Sequence, residues 1–446
     1  MHKVRIAVVG SGPAGLFAAD ELIRSDNVEI EVDVIDRLPT PYGLVRYGVA
    51  PDHPRIKSVI RGFEAILESP SVRFLGNVEY GRDVDLDWLH KHYTAVVFAT
   101  GASSDRGLGI VGESLEGSIA ASELVSFYSG HPDCNFVPEI SGNAVAVIGA
   151  GNVTLDVARI LSKSVDSLAT TDMPDSVIDA LRRSSVRTVH IVCRRGPEHA
   201  KFTTKELREL RDVDDVDVVI DPSDLACVDV EGLPRTAATN MKVFREIAEA
   251  PRHRDRKTVY IHFWSKPVAV TGDNRVTGLD IERTEFDSDG ALVGTGRCEH
   301  LPVSMVIRSV GYRSDPLPGL PFDSVRGVIP NRQGRVVDTD GTARPLTYVS
   351  GWLKRGPSGV IGTNRMCSAE TVGQVRDDLA RVADHLSFSE AGAVDESLRS
   401  RGVSVIDYSG WQSINDAEIQ RGVDAGKERV KIGDWQTLRS LGLART

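Results

Sequence analysis

Two apolar runs along the chain each lead into a glycine-rich turn and then into a stretch with helical periodicity. The first set occupies residues 4–9, 10–15 and 16–23, and the second begins with the run 144–148 and the turn 149–154. Continuous apolar runs of this length are typical of buried parallel strands. The pattern therefore predicts two copies of a strand–turn–helix unit.

The first turn has the spacing G-x-G-x-x-G, formed by Gly10, Gly12 and Gly15. In this context the three glycines permit a tight turn, a close approach to a pyrophosphate and close packing of helix on strand. The helix N-terminus then offers N–H groups and a favourable dipole to phosphates. The alternative, a glycine turn with a structural role only, is disfavoured because strand, turn and helix all agree.

The strand that follows each turn ends in side chains of opposite charge. In the first copy, the predicted strand 29–35 ends at Asp36, which can accept both hydroxyls of a ribose and would repel a 2′-phosphate. In the second copy, the predicted strand 186–193 ends in Arg194 and Arg195, which can bind a phosphate through charge-assisted contacts. An exposed arginine pair is most often only solvated, but this contrast is the one expected between FAD and NADP.

The remaining segments complete two α/β halves. Runs 95–102 and 305–312 are predicted to be the strands that complete the first and second half. Residues 163–185 are predicted to be a mobile helical insertion. Residues 212–302 are predicted to form short strands with turns at 271–274 and 287–290. Residues 348–352 are predicted to be a strand entering a tight turn, 356–363 to lead into a helix that faces a flavin or phosphate, and 388–446 to be a helical cover.

We therefore expect two Rossmann-like dinucleotide-binding domains, each with a central parallel sheet. The FAD domain is predicted to use residues 1–104 and 314–446, and the NADP domain to be the insertion 105–313. The site is expected in the crevice at the carboxyl ends of the strands. One tightly held flavin would receive hydride from one exchangeable NADPH.

The composition excludes some classes of protein and partner but does not identify the function. The 446 residues are 41% hydrophobic and 26% charged, which is ordinary for a globular protein. With 53 Lys and Arg against 63 Asp and Glu, the net charge of −10 makes nucleic acid a poor candidate partner. No run approaches the ~20 apolar residues of a membrane span. Because a strand is predicted from the first residues, no signal peptide is expected, and the predicted location is the cytoplasm.

The five cysteines are scattered and form no C-x-x-C pair. This argues against a structural zinc site, an iron–sulfur cluster carried by the chain and a redox-active dithiol. Ordinary reduced thiols are the better interpretation. The cysteines are Cys134, Cys193, Cys227, Cys298 and Cys367.

Longer motifs resemble the adrenodoxin-reductase type of ferredoxin–NADP reductase, in particular its actinobacterial members. They occur in the right order over most of the chain. The matching segments are PYGLVRYGVAPDHP at 41–54, GNVTLDVAR at 151–159, RRGP at 194–197, FTTKELRE at 202–209 and GWLKRGPSGVI at 351–361. Two departures are Thr154, where the family usually has alanine, and the polar segment 198–201.

The resemblance implies a set of cofactor contacts and a reaction. The expected FAD contacts are Gly10, Gly12, Pro13, Ala14, Gly15, Asp36, Arg37, Gly43, Leu44, Tyr80, Thr100, Gly101, Trp352, Gly359, Val360 and Ile361. The expected NADPH contacts are Ala150, Gly151, Asn152, Val153, Arg194, Arg195, Glu206 and Gly359. The family reaction moves a hydride from NADPH to FAD and then single electrons to a ferredoxin-type iron–sulfur protein.

His53 and Glu209 match family positions near the contact of nicotinamide and flavin. From spacing alone, a lone histidine is more often structural; the match favours a hydrogen bond near the flavin, with proton transfer less secure. Glu206 and Glu209 share one helix face, either as solvated charges or as contacts to the NADP ribose and the nicotinamide amide. Trp352 is expected to cover the flavin, although a core aromatic is the alternative.

An acidic ferredoxin is the expected partner, and a basic stripe offers it a docking surface. Lys201, Lys205 and Arg208 follow i, i+4, i+7 spacing and would lie on one helix face. Most such stripes only solvate a helix, but this one could steer an acidic protein even on an acidic chain.

Three other functions stay open from the residues. An electron-input module similar to the small subunit of glutamate synthase would carry cysteine-rich segments, which this chain lacks. A flavin monooxygenase would couple oxygen uptake to substrate oxidation. A nucleotide sensor without catalysis would be colourless and would not bleach with NADPH.

Overall fold

The structure, a computed structural model, describes residues 3–25, 28–140, 142–226, 228–381 and 388–444. It divides into two compact units: unit 1 comprises Met1–Val49, His53–Ser104 and Tyr312–Thr446, and unit 2 comprises Ala50–Asp52 and Asp105–Gly311. In sequence, unit 2 is inserted into unit 1. The boundary near residue 311 lies two residues before the expected one, and the short segment 50–52 belongs to unit 2.

The first part of unit 1 alternates strands and helices. Its elements are β1 (Lys3–Val9), α1 (Pro13–Ile23), β2 (Glu29–Ile35), α2 (Leu44–Tyr47), α3 (Pro54–Lys57), α4 (Ile60–Leu67), β3 (Val72–Leu75), α5 (Leu86–His92) and β4 (Ala95–Phe98). The short strand β5 (Ser104–Asp105) lies where the chain passes into unit 2.

Unit 2 has a second alternating series and then a run of antiparallel strands. Its elements are β6 (Ser118–Ala120), α6 (Ala121–Tyr128), β7 (Ala144–Ile148), α7 (Asn152–Ser162), α8 (Val165–Ala169), α9 (Asp175–Arg182), β8 (Thr188–Val192), α10 (Thr204–Arg211), β9 (Val216–Ile220), α11 (Arg235–Glu249), β10 (Lys257–His262), β11 (Ser265–Thr271), β12 (Gly278–Phe286), β13 (Leu292–Leu301) and β14 (Met305–Arg308). Two 3₁₀ turns lie at Pro197–His199 and Pro222–Asp224.

The chain then returns to unit 1, where it ends in helices. The elements are β15 (Tyr312–Arg313), β16 (Asn331–Arg332), β17 (Arg335–Val337), β18 (Ala343–Val349), α12 (Trp352–Arg355), α13 (Thr363–Arg381), α14 (Ala391–Ser400), α15 (Tyr408–Asp424) and α16 (Trp435–Gly442). The expected helical C-terminal region is therefore confirmed in the described residues.

Unit 1 is built on a seven-stranded sheet in the order β16-β17-β18-β4-β1-β2-β3. The five strands from β18 to β3 are parallel, and β17 and β16 extend the sheet as antiparallel strands. In the central strand Val8 pairs with Val34 on β2 and Val97 on β4, and all three side chains are fully buried. Because parallel strands end at the same edge, the turn 10–15, Asp36 and Thr100 lie close together at that edge.

Unit 2 contains a fully parallel sheet in the order β6-β14-β7-β8-β10-β9 and a separate antiparallel sheet, β11-β12-β13. Alternate residues of β7 pack in opposite directions: Val145 and Val147 join the helical core, whereas Ala146 and Ile148 join a cluster with the antiparallel sheet. Since Ile148 pairs with Val192, the turn after β7 lies next to the end of β8. The predicted α/β class with two central parallel sheets is confirmed.

Several predicted elements differ from the structure in extent or type. The segment 212–302 was expected to hold only short strands, but it contains the 15-residue helix α11, whose Met241, Phe244 and Ile247 lie on its buried face. β8 is shorter than the predicted 186–193 because its pairing with β7 starts at Thr188. The strands expected at 95–102 and 305–312 end at Phe98 and Arg308.

Four of the cysteines are free thiols: Cys134, Cys193, Cys298 and Cys367. Cys227 lies outside the described residues, so the expectation for it is not addressed by the structure. Within the described residues, none of the helices combines the length and apolar character that a membrane span requires.

Candidate functional site

The first glycine turn joins β1 to α1 and depends on glycine at two positions. Gly10 has a φ of 111°, and a Cβ placed there would lie 2.5 Å from the Ala99 carbonyl oxygen. A Cβ on Gly15 would lie 1.8 Å from the carbonyl oxygen of Gly10. A larger residue at position 10 would therefore clash with the backbone that follows β4, and one at position 15 would push α1 away from the turn.

Gly12, at the centre of the turn, faces open space. The nearest atom to a Cβ placed on Gly12 is the Cα of Gly43, at 4.0 Å. α1 begins at Pro13, so Ala14 and Gly15 carry N–H groups in the first helical turn, which has no earlier carbonyls to use. An open cradle with N–H donors at a helix N-terminus fits a dinucleotide diphosphate.

Asp36 follows β2 and holds the turn in place. Its Oδ2 accepts hydrogen bonds from the Ser11 backbone N–H at 2.8 Å and the Ser11 hydroxyl at 2.5 Å, and its Oδ1 accepts from the Leu38 N–H at 2.9 Å. A carboxylate has about four lone-pair sites, so Asp36, which already accepts three hydrogen bonds, retains capacity for about one ribose hydroxyl. Sequence reasoning found Asp36 but missed Ser11, which occupies a variable position of the motif.

Two other predicted FAD-contacting segments pack against this turn. The N–H of Tyr42 donates to the Ser11 carbonyl at 3.1 Å, and a Cβ on Gly43 would lie 2.9 Å from the Gly12 Cα. Leu44 starts α2 directly afterwards. From the C-terminal part of unit 1, Gly351 comes so close to α1 that a Cβ there would lie 2.5 Å from the Ala14 Cβ. The structure thus brings these predicted residues together.

Trp352 and the turn that follows it form an exposed rim rather than core. The Trp352 ring lies 5.6 Å from the Tyr312 ring at 31°, and its Nε1–H donates to the Ser358 carbonyl at 3.1 Å. Val360 is 62% exposed. Trp352 is half-buried, and its expected place over the flavin stays a prediction.

The remaining predicted FAD contacts lie near the carboxyl end of β4 or beside it. The Tyr80 ring packs edge-on against Phe98 at 5.0 Å, and its hydroxyl donates to the Pro318 carbonyl. Thr100 is exposed, and the Gly101 carbonyl accepts a hydrogen bond from the Ser314 hydroxyl at 2.9 Å. Arg37, next to Asp36, is half-buried.

The second glycine turn, between β7 and α7, is open in the same way and is fixed by a neighbouring segment. No atom lies within 4 Å of a Cβ placed on Gly151. The Ala150 carbonyl accepts from the Lys201 N–H at 2.8 Å, and Asn152 Oδ1 accepts from the Thr203 N–H at 2.8 Å. These bonds connect the turn to the start of α10, so this cradle also fits a diphosphate.

Arg194 and Arg195 have a fixed backbone and exposed side chains. The Arg194 carbonyl accepts from the Thr284 hydroxyl at 2.7 Å, and the Arg195 carbonyl accepts from the Trp264 N–H at 3.2 Å. Within the part of the chain that the structure describes, neither guanidinium has a hydrogen bond or ion pair. Two unpaired guanidiniums beside an open diphosphate cradle are suited to a further phosphate.

Glu206 lies on the buried side of α10, near a cluster of charges that sequence reasoning missed. Arg159, on α7, is 1% exposed and lies 3.5 Å from the Glu206 carboxylate. It donates to both oxygens of Asp52, at 2.8 and 3.0 Å, and to Asp156 at 2.7 Å. These residues stand inside the motifs 41–54 and 151–159, but their pairing spans 107 residues and leaves no local signal.

The ionic state of Asp52 follows from its partners. Burial by itself raises the pKa of the Asp52 carboxyl. Hydrogen bonds and positive charges from Arg159 and Lys163, whose Nζ lies 2.7 Å away, outweigh the burial and hold this pKa well below its usual range. Asp52 therefore stays a carboxylate that anchors α7.

His53 and Glu209, the predicted catalytic residues, belong to different units. His53 is the residue before α3 in unit 1 and is 5% exposed. Glu209 is half-buried on α10 in unit 2, with its carboxylate 3.5 Å from the Lys205 Nζ. Their joint role stays a prediction.

The predicted basic stripe needs correction. Lys201, Lys205 and Arg208 are all exposed, but α10 begins only at Thr204, because the Thr203 hydroxyl accepts from the Glu206 N–H and starts the helix there. Lys201 lies in the preceding loop, so only Lys205 and Arg208 share a helix.

The fold and the two cradles define the class of protein, a pyridine-nucleotide oxidoreductase. The model of the family "Pyridine nucleotide-disulphide oxidoreductase" matches residues 4–342, and the chain belongs to that family. Within it, the chain belongs to the ferredoxin reductases of the adrenodoxin-reductase type, because it is similar over nearly its whole length to members of that group. This similarity confirms the resemblance seen in the motifs.

The relatives match along nearly the whole chain. NADPH-ferredoxin reductase FprA of Mycobacterium tuberculosis is 44% identical over 461 residues, covering 99% of this chain and 100% of the relative. NADPH:adrenodoxin oxidoreductase, mitochondrial, of Arabidopsis thaliana is 39% identical over 459 residues, covering 98% and 95%. The structure of Mycobacterium tuberculosis FprA in complex with NADPH matches with a TM-score of 0.95 at 42% identity, covering 99% and 100%.

Proposed function

We propose that this protein is an NADPH–ferredoxin reductase that binds FAD in unit 1 and NADPH in unit 2. The observation that carries the proposal is the pair of open diphosphate cradles with opposite charges beside them: Asp36 in unit 1, and Arg194 with Arg195 in unit 2. A bound flavin supplies the chemistry that accepts a hydride and passes on single electrons.

In unit 1, the chain's task is to hold FAD. The turn Gly10–Gly15 binds the diphosphate, and Asp36, already oriented by Ser11, accepts a hydrogen bond from a ribose hydroxyl. Gly43 and Leu44 line the same cradle. Trp352 and the turn 359–361 cover the flavin, with Tyr80, Thr100, Gly101 and Arg37 beside it.

In unit 2, the chain selects and orients NADPH. The turn Ala150–Val153 receives the diphosphate, and the exposed guanidiniums of Arg194 and Arg195 bind the 2′-phosphate. Glu206, held by Arg159, receives a ribose hydroxyl. Glu209 of unit 2 and His53 of unit 1 are the residues proposed to orient the nicotinamide by hydrogen bonds, and Gly359 of unit 1 is a further proposed NADPH contact.

The electron acceptor is an acidic ferredoxin-type iron–sulfur protein that docks near Lys201, Lys205 and Arg208. All three side chains are exposed, and cations in such a cluster attract an acidic partner. The cytoplasm is the proposed location, because reduced thiols such as Cys193 and Cys298 are usual there.

Anaerobic titration of the purified holoenzyme with NADPH, followed by mixing with candidate ferredoxins, tests this function. NADPH should bleach the yellow flavin absorbance at one equivalent per chain, and an acidic ferredoxin should restore it while becoming reduced. A colourless protein, or one that NADH bleaches as well as NADPH, would contradict the cofactor assignment. Bleaching by NADPH without reoxidation by any ferredoxin would contradict only the acceptor.

A further inference from the structure

Unit 2 has an open cavity of about 780 Å³ that the proposed function does not use. Its lining includes Thr188, His190, Tyr260, His262, Glu299 and His300. Three of the eleven histidines of the chain therefore border one cavity.

The cavity lies on one face of the parallel sheet, at a place that the small antiparallel sheet does not fully cover. Val192 on β8 is buried in the apolar cluster with that small sheet. His190 stands two residues earlier on the same strand, so it points to the same face. It is half-buried, as are Tyr260 and His262 on the neighbouring strand β10. Imidazoles and a phenol thus replace the apolar side chains that a covered face would need.

His190 and His262 form a close pair across the two strands. His190 is paired with Tyr260 in the register, so His262 is its diagonal neighbour on the same face. The Nδ1 of His190 and the Nε2 of His262 are 2.9 Å apart, and the Tyr260 ring is stacked on the His190 ring at 5.3 Å and 13°. Within the described residues, each imidazole has only the other as a hydrogen-bond partner.

We propose that His190 and His262 form a binding site for a divalent transition-metal ion of the Ni²⁺ or Cu²⁺ type. With metal–imidazole distances of about 2.0–2.1 Å, two nitrogens 2.9 Å apart would subtend an angle of roughly 90° at the metal. That angle suits the tetragonal or octahedral geometry of Ni²⁺ and Cu²⁺ better than the tetrahedral geometry of Zn²⁺.

Binding needs only a local rearrangement. In the pair, one nitrogen donates its proton to the other, so one lone pair is free and one is occupied by hydrogen. The metal takes the place of that proton, which moves to the other nitrogen of the same ring, and no net proton is released. Rotation about χ2, which is a broad torsion in histidine, turns both lone pairs toward the ion.

Only two protein ligands are available within the described residues, since no third histidine, cysteine or carboxylate ligand atom lies close enough to both nitrogens. Water fills the other positions from the open cavity. His300 borders the cavity, but its Nδ1 is bonded to Asp280 at 2.7 Å and its side chain is exposed. It serves as the matched control.

The metal site is separate from the NADPH cradle. The cavity is lined by Asn143, Ala144 and Thr188, at the amino ends of β7 and β8, whereas the glycine turn follows the carboxyl end of β7 at Ile148. The two ligands themselves lie to the side of β7: His190 pairs with Ala146, two residues before the end of β7, and His262, on β10, pairs with Val192 of β8, so it lies two strands from β7. At a spacing of about 4.7–4.9 Å between neighbouring strands, roughly 9–10 Å separates the backbones of β10 and β7, and both imidazoles point to a face of the sheet rather than to its carboxyl edge. Metal and nucleotide should therefore bind together.

Isothermal titration of the tag-free holoenzyme with NiCl₂, with and without NADP⁺, tests the site. We expect one ion per chain, at least tenfold weaker binding in His190→Ala and in His262→Ala, binding within twofold of wild type in His300→Ala, and no competition from NADP⁺. Reduction of the flavin by NADPH should stay unchanged in all three variants, which checks that they fold. Unchanged Ni²⁺ binding in both pair variants, or no saturable binding by the wild type, would overturn the proposal.

Electron paramagnetic resonance of the wild-type holoenzyme with one equivalent of Cu²⁺ gives evidence that does not depend on any variant. Two nitrogen ligands should split the copper signal. A spectrum with no nitrogen coupling, or with that of a single nitrogen, would also overturn the site.

Discussion

We propose that the residues that end the second strand of each unit determine which cofactor each unit binds. Asp36 is held by three hydrogen bonds, so its charge stays at one point beside the cradle. Among the described residues, Arg194 and Arg195 are held through their carbonyl groups and not through their side chains, so their guanidiniums can adapt to a mobile ligand. A fixed anion suits a cofactor that stays bound, and adaptable cations suit one that exchanges.

Replacement of Arg194 by alanine should raise the KM for NADPH and leave that for NADH nearly unchanged. A hydrogen bond to a charged group contributes about 1.5–3 kcal/mol, so the expected increase is roughly 10- to 150-fold. Steady-state kinetics with both nucleotides measure it, with the exposed Arg182→Ala as a control that should behave as wild type. An equal increase in KM for NADPH and NADH would show that Arg194 does not bind the 2′-phosphate.

Asp52 makes a pH-dependent contribution to stability. Its folded-state pKa lies below the unfolded value of about 3.9 because Arg159 and Lys163 hold it charged against the effect of burial. The stabilisation is therefore fully present above the unfolded pKa and is lost as the pH falls through the folded pKa. Removing one partner of a buried pair costs about 3–5 kcal/mol, so Asp52→Asn should destabilise the protein by that order near pH 7.

Urea unfolding followed by circular dichroism at several pH values checks this. The difference in the free energy of unfolding between wild type and Asp52→Asn should be constant from pH 7 to about pH 5 and should shrink below about pH 4. The exposed Asp179→Asn, on α9 of the same unit, should show no comparable difference. A gap between wild type and Asp52→Asn that persists unchanged into acid would contradict the role of the carboxylate charge.

Among the elements, α15 joins the C-terminal helices to the FAD side of unit 1. Its Glu418 is fully buried and binds Arg46 of α2 through both oxygens, one of them at 2.9 Å. The Ile432 N–H donates to the same carboxylate at 2.9 Å. α2 follows Gly43, which lies against the cradle, so this pair supports the cofactor site from behind.

Glu418→Ala should therefore lower the free energy of unfolding by about 3–5 kcal/mol, because it leaves the Arg46 charge buried without its partner. Thermal unfolding of the holoenzyme measures the loss. Glu396→Ala removes an exposed ion pair with Arg399 and should change the stability by no more than about 0.5 kcal/mol. Similar losses of stability in both variants would show that the buried ion pair contributes no more to the free energy of unfolding than the exposed one.

The elements that the sequence predicts best are those with a single dominant pattern. β2 at 29–35 and β7 at 144–148 have the predicted bounds, because apolar runs bordered by turns leave little choice. α11 was missed, although its apolar residues recur at helical spacing, because the turns at 271–274 and 287–290 favoured short strands for the whole segment 212–302. The ends of β8 could not be predicted, since they depend on where β7 begins to pair.

The residues of the candidate site likewise fall into those that a local pattern predicts and those that depend on distant partners. The positions of Asp36, Arg194 and Arg195 after a strand can be predicted from the sequence, because cofactor-binding residues of this fold lie at the carboxyl ends of strands; their roles stay predictions. Ser11, Asp52 and Arg159 could not, because each acts through a partner distant in sequence. The beginning of α10, which separates Lys201 from Lys205 and Arg208, depends on the cap at Thr203 rather than on the spacing of charges.

For the whole molecule, the net charge of −10 opposes an acidic partner. Docking of a ferredoxin therefore requires a local cluster of cations, and Lys201, Lys205 and Arg208 are exposed in unit 2. Screening lengths fall from about 10 Å at 0.1 M salt to about 3 Å at 1 M. High salt should thus raise the KM for ferredoxin and hardly change turnover with a small neutral acceptor.

The double substitution Lys201→Glu and Arg208→Glu should reproduce the effect of salt at low ionic strength, by slowing association with ferredoxin. The double substitution Lys91→Glu and Arg182→Glu, at exposed cations outside the proposed docking surface, makes the same change in net charge and should leave the KM for ferredoxin close to wild type. Stopped-flow reduction of ferredoxin by the reduced enzyme, measured across a salt series, distinguishes the loss of a docking surface from the effect of net charge. If the double variant keeps the wild-type rate and salt dependence, the ferredoxin docks elsewhere on the protein.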